Sequence, residues 1–447
     1  MSQVLILGAG LVAGPLVDYL YKEKIAITLA SHILSESQTL ARSRDNINPI
    51  SLNVSDAEAL SDRVKQHKIV VSFIPFTLHP LVARACLKNK VNLVTASYRS
   101  EEMAAFDEDA KLAGITILNE MGFDPGLDHL SAMSVIDKVQ RQGGTVKTFV
   151  SWGSGLPAPE CNDNPFGYKF AWSPISVLLA MKNEARFLNH GKLVTVSADN
   201  LLDSPIQAWT GEQEKFEGYP NRDSLPYQQA YNLQGIDTLM RGTLRYAGNL
   251  EIMRQARDIG LFDQARLLTE SNWLKLMARL TKIKEHDLPE KWAVNPKVKQ
   301  AFIWAGMFDE KSSIEADSAI LAFCELLEGK LVFKPDEYDM ALLLHKFAYE
   351  DNQGDMHYCL SKLKVFGDKG GYSAMAKAVG TPAAIATKLL LDGKVSKTGS
   401  ILPVAEEFYR QILPVLDAEG LSCQEDEIDS SNSGFLKETE AHNNLIQ

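Results

Sequence analysis

Three shortages frame this sequence. Cysteine is the first, with five in 447 residues, at positions 86, 161, 324, 359 and 423. The number is odd, the spacing is wide and no Cys-x-x-Cys pair occurs. A disulfide scaffold and a zinc framework of paired thiolates are both excluded, and buried thiols in a reducing compartment are expected. Positive charge is the second shortage. Lys and Arg total 46 against 57 Asp and Glu, a formal charge of −11, which argues against nucleic acid or an anionic membrane surface as a partner. The third is long apolar runs, since no stretch approaches the ~20 residues of a membrane span. Val4 to Leu7 is too short, and lacks the basic flank, to read as a secretory signal. The expectation is a cytoplasmic protein with no membrane partner and no metal.

A fourth absence is local. Val4 to Leu7 is an apolar run, Gly8-Ala9-Gly10-Leu11-Val12-Ala13-Gly14 follows, and a helical pattern runs from Pro15 to Lys22 before a second apolar run, Ile25 to Ala30. Strand, glycine turn, helix and strand make the opening unit of a dinucleotide-binding fold. Gly8 permits the tight turn, Gly10 lets backbone approach a pyrophosphate, and small Ala13 allows close helix packing, while the helix N-terminus offers N–H groups to phosphate. An NAD site ends its second strand on Asp or Glu. Here the strand ends Ala30-Ser31-His32, and the next charge is Glu36. Without a carboxylate to repel a 2′-phosphate, and with Ser31 and His32 as donors, NADP(H) is favoured over NAD. His32 also reads as an ordinary solvated histidine. Arg42 or Arg44 would add positive charge if the loop folds back.

The length predicts two or three domains, and 45% hydrophobic with 23% charged residues is the balance of a soluble globular chain. Strand and helix signals alternate as far as Asn119, implying a parallel sheet covered on both faces. Ligands then lie beyond the carboxyl ends of the strands: Asn53, Pro75, Thr77, Ser97, Tyr98 and Glu120 to Asp124. In Gly122-Phe123-Asp124-Pro125-Gly126-Leu127-Asp128-His129, Asp124 and Asp128 are equally readable as helix caps and as site residues. Phe166, Tyr168, Phe170 and Trp172 read as a core patch or as a wall over a nicotinamide and substrate. Arg222 falls in a turn, and Arg241 and Arg245 share one face of a strand. Most arginines are simply solvated, yet an acidic protein catching an anionic metabolite needs such forks for carboxylates.

Residues 250–329 carry helical periodicity with few strand signals. Tyr338–Tyr349 and His357–Val365 read as a strand pair, Ala374–Leu391 as a long helix, and Val404–Leu416 as a final amphipathic helix. The polar, acidic tail after Glu425 reads as disordered.

Over almost its whole length the chain resembles the saccharopine dehydrogenase family of the NADP-dependent, glutamate-forming type. The blocks that carry the resemblance are Gly8-to-Pro15, Ser72-Phe73-Ile74-Pro75, Thr95-Ala96-Ser97-Tyr98, Asn119-to-His129, Gly155-to-Glu160, Asp163-to-Phe170, Tyr219-to-Ser224, Arg241-to-Tyr246 and Gly370-to-Lys377. The resemblance implies an α/β protein with an N-terminal Rossmann parallel sheet, a second α/β domain with a mixed sheet, and an all-α insertion. By residue, these are an NADP-binding domain at 1–124 completed by C-terminal helices at about 390–425, a substrate and dimerisation domain at 125–250 and 330–389, the insertion at 251–329, and the tail at 426–447.

The implied reaction is reversible. L-glutamate condenses with 2-aminoadipate 6-semialdehyde, and NADPH reduces the imine to L-saccharopine. The resemblance assigns Gly8, Ala9, Gly10, Leu11 and Val12 to the pyrophosphate. It assigns Asn53, Val54 and Ile74 to the adenine and ribose side, and Thr95, Ala96, Phe123, Asp124 and Trp172 to the nicotinamide half. Ser97, Tyr98, Asp124, Arg222, Thr243, Leu244 and Arg245 would hold substrate, with Asp124 binding its amine and standing as the catalytic candidate. The resemblance also implies a homodimer and no dedicated metal. His32 stands where the family commonly has an arginine for the 2′-phosphate. Two other readings remain: a carboxynorspermidine-type dehydrogenase acting on a diamine imine, for which acids would replace Arg222 and Arg245, and a non-catalytic NADP-sensing module, which has no need of those arginines.

Overall fold

Val4–Leu7 forms strand β1 with all four residues buried, as a strand covered on both faces requires. Five parallel strands follow it in the chain: β2 (Ile27–Ser31), β3 (Ile47–Ser51), β4 (Ile69–Ser72), β5 (Asn92–Thr95) and β6 (Thr116–Leu118). Their order across the sheet is β6-β5-β4-β1-β2-β3, and a short strand, Gly399–Ile401, pairs parallel to β6 at the outer edge. The chain goes one way from β1 through β2 to β3, then restarts on the other side with β4. The reversal between β1 and β4 is the topological switch point at which doubly wound sheets bind ligands.

The computed structural model describes residues 3–265, 267–429 and 435. Contacts divide the chain into one unit of Met1–Thr145 with Ser361–Glu425 and another of Val146–Leu360 with Asp426–Gln447. The first unit takes more chain than expected. Residues 125–145 and 361–389, expected in the second domain, group with the parallel sheet, and the reason is close helix packing. Its helices include α1 (Gly14–Lys22), α2 (Leu34–Ala41), α3 (His79–Asn89), α4 (Leu127–Arg141), α5 (Ala374–Leu391) and α6 (Glu406–Ala418). α5 crosses the first turn of α1 at Gly380, where a Cβ would come within 2.9 Å of Val12 O and Leu16 N. On α1, a Cβ at Gly14 would lie 2.2 Å from the Tyr372 ring. The close approach assigned to Ala13 therefore rests on these two glycines as well. The expectation that no stretch approaches a membrane span is corrected here, since α5 is long and apolar enough by length and composition, with 78% of it buried inside the fold. It packs on α1, β4 and β5, which accounts for its composition.

The second sheet holds β7 (Thr145–Pro157), β8 (Ala185–Asn189), β9 (Lys192–Val196), β10 (Ile206–Ala208), β11 (Phe216–Pro220), β12 (Thr238–Tyr246), β13 (Asp339–Glu350) and β14 (Met356–Phe366). Its main path runs β10-β11-β12-β7-β13-β14, with β8 pairing β12 and β9. The sheet is mixed, since β12 is parallel to β7 and antiparallel to β11. Trp152 explains two glycines in it. A Cβ on Gly218 or Gly242 would fall 2.4 or 2.3 Å from the indole, so the ring takes the space those strands leave, fully buried. Helices Asn249–Asp258, Trp273–Thr281, Pro296–Ala305 and Ala319–Glu328 fill the expected insertion. The expected disordered tail is corrected at its start. Gln424–Glu427 is a strand beside β14, Ile428 donates to the Tyr358 carbonyl, and Phe435 is buried edge-on against Trp209. An apolar residue inside a polar tail is an anchor. The rest of the expected tail, 430–434 and 436–447, lies outside the described residues.

Candidate active site

The glycine turn fits a dinucleotide. Gly8 has φ +105°, and a Cβ there would lie 2.6 Å from the Phe73 carbonyl oxygen, so both conformation and space demand glycine. Over Gly10 the space is open. The residue before α1, Ala13, supplies no side-chain cap, and the first turn carries no acid. The N–H groups of that turn and the helix dipole are left available to an anion. Ala9 and Val12 are half-buried in the turn, and Leu11 is exposed at its tip. Past β3, Asn53 closes its own turn by accepting from Ser55 N–H, while Val54 and, after β4, Ile74 are half-buried.

The end of β2 differs from expectation. Ser31 donates its hydroxyl to Glu36 Oε2 at 2.5 Å, so its proton is engaged, and a carboxylate from the first turn of α2 returns to the end of a strand that carries none in sequence. Arg42 and Arg44 do not turn toward that end. Arg44 pairs with Asp18 of α1 at 2.6 Å, and Arg42 reaches the same carboxylate and lies over the Tyr372 ring. His32 is exposed, with its carbonyl accepting from Ser51.

At the carboxyl ends of β4 and β5 stands a residue the sequence reading did not single out. His79, the first residue of α3, is 2% exposed. Its Nδ1 lies 3.0 Å from Ser72 Oγ, and its Nε2 lies 2.9 Å from both Thr95 Oγ1 and Ser97 Oγ. Burial pushes its pKa down to about 4, against about 6.5 in an unfolded chain. As pH falls the unfolded chain therefore takes up this proton first. Stability present above about pH 6.5 should be lost progressively toward pH 4, by on the order of 2–3 kcal/mol. Urea midpoints at about pH 7 and pH 4.5 are expected to differ less in His79→Gln than in the natural chain.

The 120–129 turn separates the two aspartates. Asp128, 1% exposed, accepts from Gly126 N–H at 2.5 Å, and so braces the start of α4. Beside it, buried His129 places Nε2 2.8 Å from Glu120 Oε2, and Glu120 in turn accepts from Arg99 N–H. Asp124 is no cap. It is half-buried, and it accepts from the Tyr98 hydroxyl at 3.1 Å. Phe123 and Thr95 are buried, and Ala96, Ser97 and Tyr98 are half-buried along the strand end. Asp128 thus bonds at the helix start, while Asp124 bonds a side chain from the end of β5.

In the second unit, Arg245 is 3% exposed. Its Nη1 donates to Ser154 Oγ and to the Leu244 carbonyl, and its guanidinium lies 4.8 Å from the centre of the Tyr168 ring. Nε has no hydrogen-bond partner, and no carboxylate among the described residues pairs with it. A buried cation held by neutral groups alone costs free energy unless an anion joins it. Leu244 gives its side chain to the core and its carbonyl to Arg245, while Thr243 is half-buried beside it on β12. Arg241 is also buried, stacked over Tyr227 at 4.2 Å. Arg222 is exposed and has φ +56°, a left-handed conformation unusual for arginine. The aromatic segment follows its core reading. Phe166 and Tyr168 are core, Phe170 and Trp172 are partly buried against them, and Tyr168 offers its face to Arg245.

Residues 4–118 match the family described as the saccharopine dehydrogenase NADP binding domain, and residues 122–421 match the saccharopine dehydrogenase C-terminal domain. The chain is 37% identical to saccharopine dehydrogenase [NADP(+), L-glutamate-forming] of Pyricularia oryzae, over 95% of this chain and 98% of that one. It is 39% identical to the mitochondrial alpha-aminoadipic semialdehyde synthase of Mus musculus over 94% of this chain, and it spans 47% of that longer protein. The solved structure of apo saccharopine dehydrogenase (L-Glu forming) from Saccharomyces cerevisiae superposes with a TM-score of 0.87 at 36% identity, covering 96% of this chain and all of that one.

Proposed function

The chain belongs to the saccharopine dehydrogenase family, and from that premise we propose that it catalyses the reversible, NADP-dependent reduction of the imine of L-glutamate and 2-aminoadipate 6-semialdehyde to L-saccharopine. The observation that carries the substrate class is Arg245, a buried guanidinium among neutral partners, because saccharopine brings three carboxylates. A diamine imine with aspartate semialdehyde brings a single carboxylate and a cationic tail that such a cation would repel, and a sensing module would have no need to bury one.

NADPH, when bound, supplies the hydride, and the remaining work belongs to the protein. Gly8 to Val12 take the pyrophosphate at the first turn of α1. Asn53, Val54 and Ile74 serve the adenosine side, and Thr95, Ala96, Phe123, Asp124 and Trp172 the nicotinamide half. Arg222 and Arg245 take substrate carboxylates, and Thr243 and Leu244 help to hold the substrate beside them. Ser97 and Tyr98 add hydrogen bonds. Asp124, kept as an acceptor by the Tyr98 hydroxyl, binds the substrate amine and orients it for hydride transfer. The test is consumption of NADPH with L-glutamate and 2-aminoadipate 6-semialdehyde. Turnover with that pair supports the reading, whereas turnover only with a diamine and aspartate semialdehyde overturns it.

The second domain is the proposed homodimer contact and the cytoplasm the proposed compartment, the former checked by light scattering of the purified chain. Glu36 sets a further expectation. Its carboxylate at the end of β2 opposes a 2′-phosphate and suits a ribose hydroxyl. Glu36→Gln should therefore tighten NADPH binding by about three- to tenfold, the worth of one screened like-charge contact, while NADH binding is unchanged or weaker. Dissociation constants from quenching of protein fluorescence measure both.

A further inference from the structure

The contacts of His79 specify more than a filled core. A neutral imidazole carries one proton, so one ring nitrogen donates and the other accepts. With the proton on Nδ1, the ring would donate to Ser72, and a hydroxyl of Thr95 or Ser97 would turn its proton inward to Nε2. With the proton on Nε2, the ring donates to the Thr95 and Ser97 oxygens and accepts from Ser72. Ser72 is 1% exposed, and Nδ1 is its hydroxyl's hydrogen-bond partner among the described residues. The Nε2–H form is therefore the one that satisfies the buried Ser72 proton, which is costly to leave unmade. Thr95 Oγ1 already acts as an acceptor, from Ser97 N–H at 3.3 Å, which agrees with the same form. The consequence falls on the two hydroxyls at the end of β5. Each receives a hydrogen bond at its oxygen, and its own proton is left to donate elsewhere.

A carboxylate and a carboxamide oxygen can only accept. A serine presented to either must have its proton to spare. We propose that His79 is a positioning residue for the reaction: fixed by Ser72 with its proton on Nε2, it anchors the Ser97 and Thr95 oxygens and commits their protons to acceptors on substrate and cofactor. This rests on the reading that Ser97 meets the substrate. The low pKa of His79 agrees with it, because the ring stays neutral, with a single proton, through the physiological range. The charged groups nearest in sequence, Arg84 on α3 and Arg99 after β5, are engaged away from the ring, with Glu102 and the Ser400 carbonyl.

The experiment is a double-mutant cycle on the full chain, with saccharopine oxidised by NADP+. His79→Leu should raise KM for saccharopine about tenfold, near 1.4 kcal/mol and the worth of one hydrogen bond, with kcat lowered less than about threefold. His79→Gln, whose amide N–H stands in for Nε2–H, should restore most of the loss. In a Ser97→Ala background His79→Leu should add little, because its effect passes through that hydroxyl. An equal rise in KM in both backgrounds would make His79 a structural residue only and overturn the proposal. If Ser97→Ala by itself leaves KM unchanged, the substrate role of Ser97 fails instead, so the two failures separate. Nitrogen spectra of histidine-labelled protein supply a readout that needs no variant to fold. Nε2 protonated is expected, and a proton on Nδ1 would overturn the assignment.

Discussion

Arg222→Ala is expected to raise KM for saccharopine and for L-glutamate about 10²–10³-fold, the 2–4 kcal/mol that follows truncation of a charged partner of a carboxylate, while the dissociation constant for NADPH stays within about twofold. The geometry explains why the fold should survive. Arg222 follows β11, and the turn around it is fastened by its neighbours. Asn221 N–H bonds to the Arg241 carbonyl, the Arg222 carbonyl accepts from Arg186 N–H, and Ser224 N–H bonds back to the Arg186 carbonyl. Asp223 also pairs with Arg186 at 3.0 Å. The side chain of Arg222 is exposed, and its left-handed φ of +56° is a strain of roughly 1 kcal/mol that alanine inherits unchanged. Initial rates alongside a melting curve separate the two effects. Arg222→Lys should recover only part of the affinity, since an ammonium gives a point charge where a carboxylate meets a fork. An unchanged KM in Arg222→Ala would remove this residue from the substrate site.

Gly126→Ala should be the most damaging single substitution in the first unit, lowering stability by more than about 4 kcal/mol and Tm by about 10–15 °C. The added Cβ would lie 2.1 Å from Gly122 N and 2.2 Å from Gly122 O, at φ +145°. Those are backbone atoms of a turn closed by Gly122 N–H to the Pro125 carbonyl and by Leu127 N–H to the Gly122 carbonyl. Nothing there can rotate aside. Because Asp124 lies inside that turn, saccharopine turnover should vanish even in whatever fraction folds. Gly114→Ala is the control. It also has positive φ, +71°, but nothing within 4 Å of the new atom, so it should lose only the roughly 1–2 kcal/mol of a left-handed alanine. Similar losses in both variants would mean that torsion, and not the collision, decides.

Gly126 also shows what was legible beforehand. The glycine turn, the alternating strands and helices and the strand pair at 339–366 follow from periodicity and turn chemistry over short windows, and they stand as expected. The contact between Gly126 and Gly122 is short-range too, and a proline–glycine turn announced it. The long-range choices were hidden. Glu36 is five residues from Ser31 and invisible as its partner until α2 bends it back. Arg42 and Arg44 were free to be anything until Asp18 claimed them. Buried polar partnerships are hidden for the same reason: Glu120 with His129, or His79 with three hydroxyls, arises where strand ends converge, and spacing carries no trace of it. The allocation of α4 to the first unit depended on its packing against α6, and that of α5 on two glycines more than 360 residues apart, Gly14 and Gly380, fitting against neighbouring elements.

That last fit bears on how the chain is made. The parallel sheet opens with β1, yet its edge strand Gly399–Ile401 and the helix that covers α1, β4 and β5 come from beyond residue 360. All of 146–360, a unit with its own core, is translated in between. At roughly 5–20 residues per second this is an interval of about 10–40 s, during which β1, β4 and β5 exist without their cover. Nascent chains in that interval expose apolar strand and helix faces that the finished enzyme never shows. The cofactor-binding half, opened by β1, is completed only after the whole of 146–360 has been made.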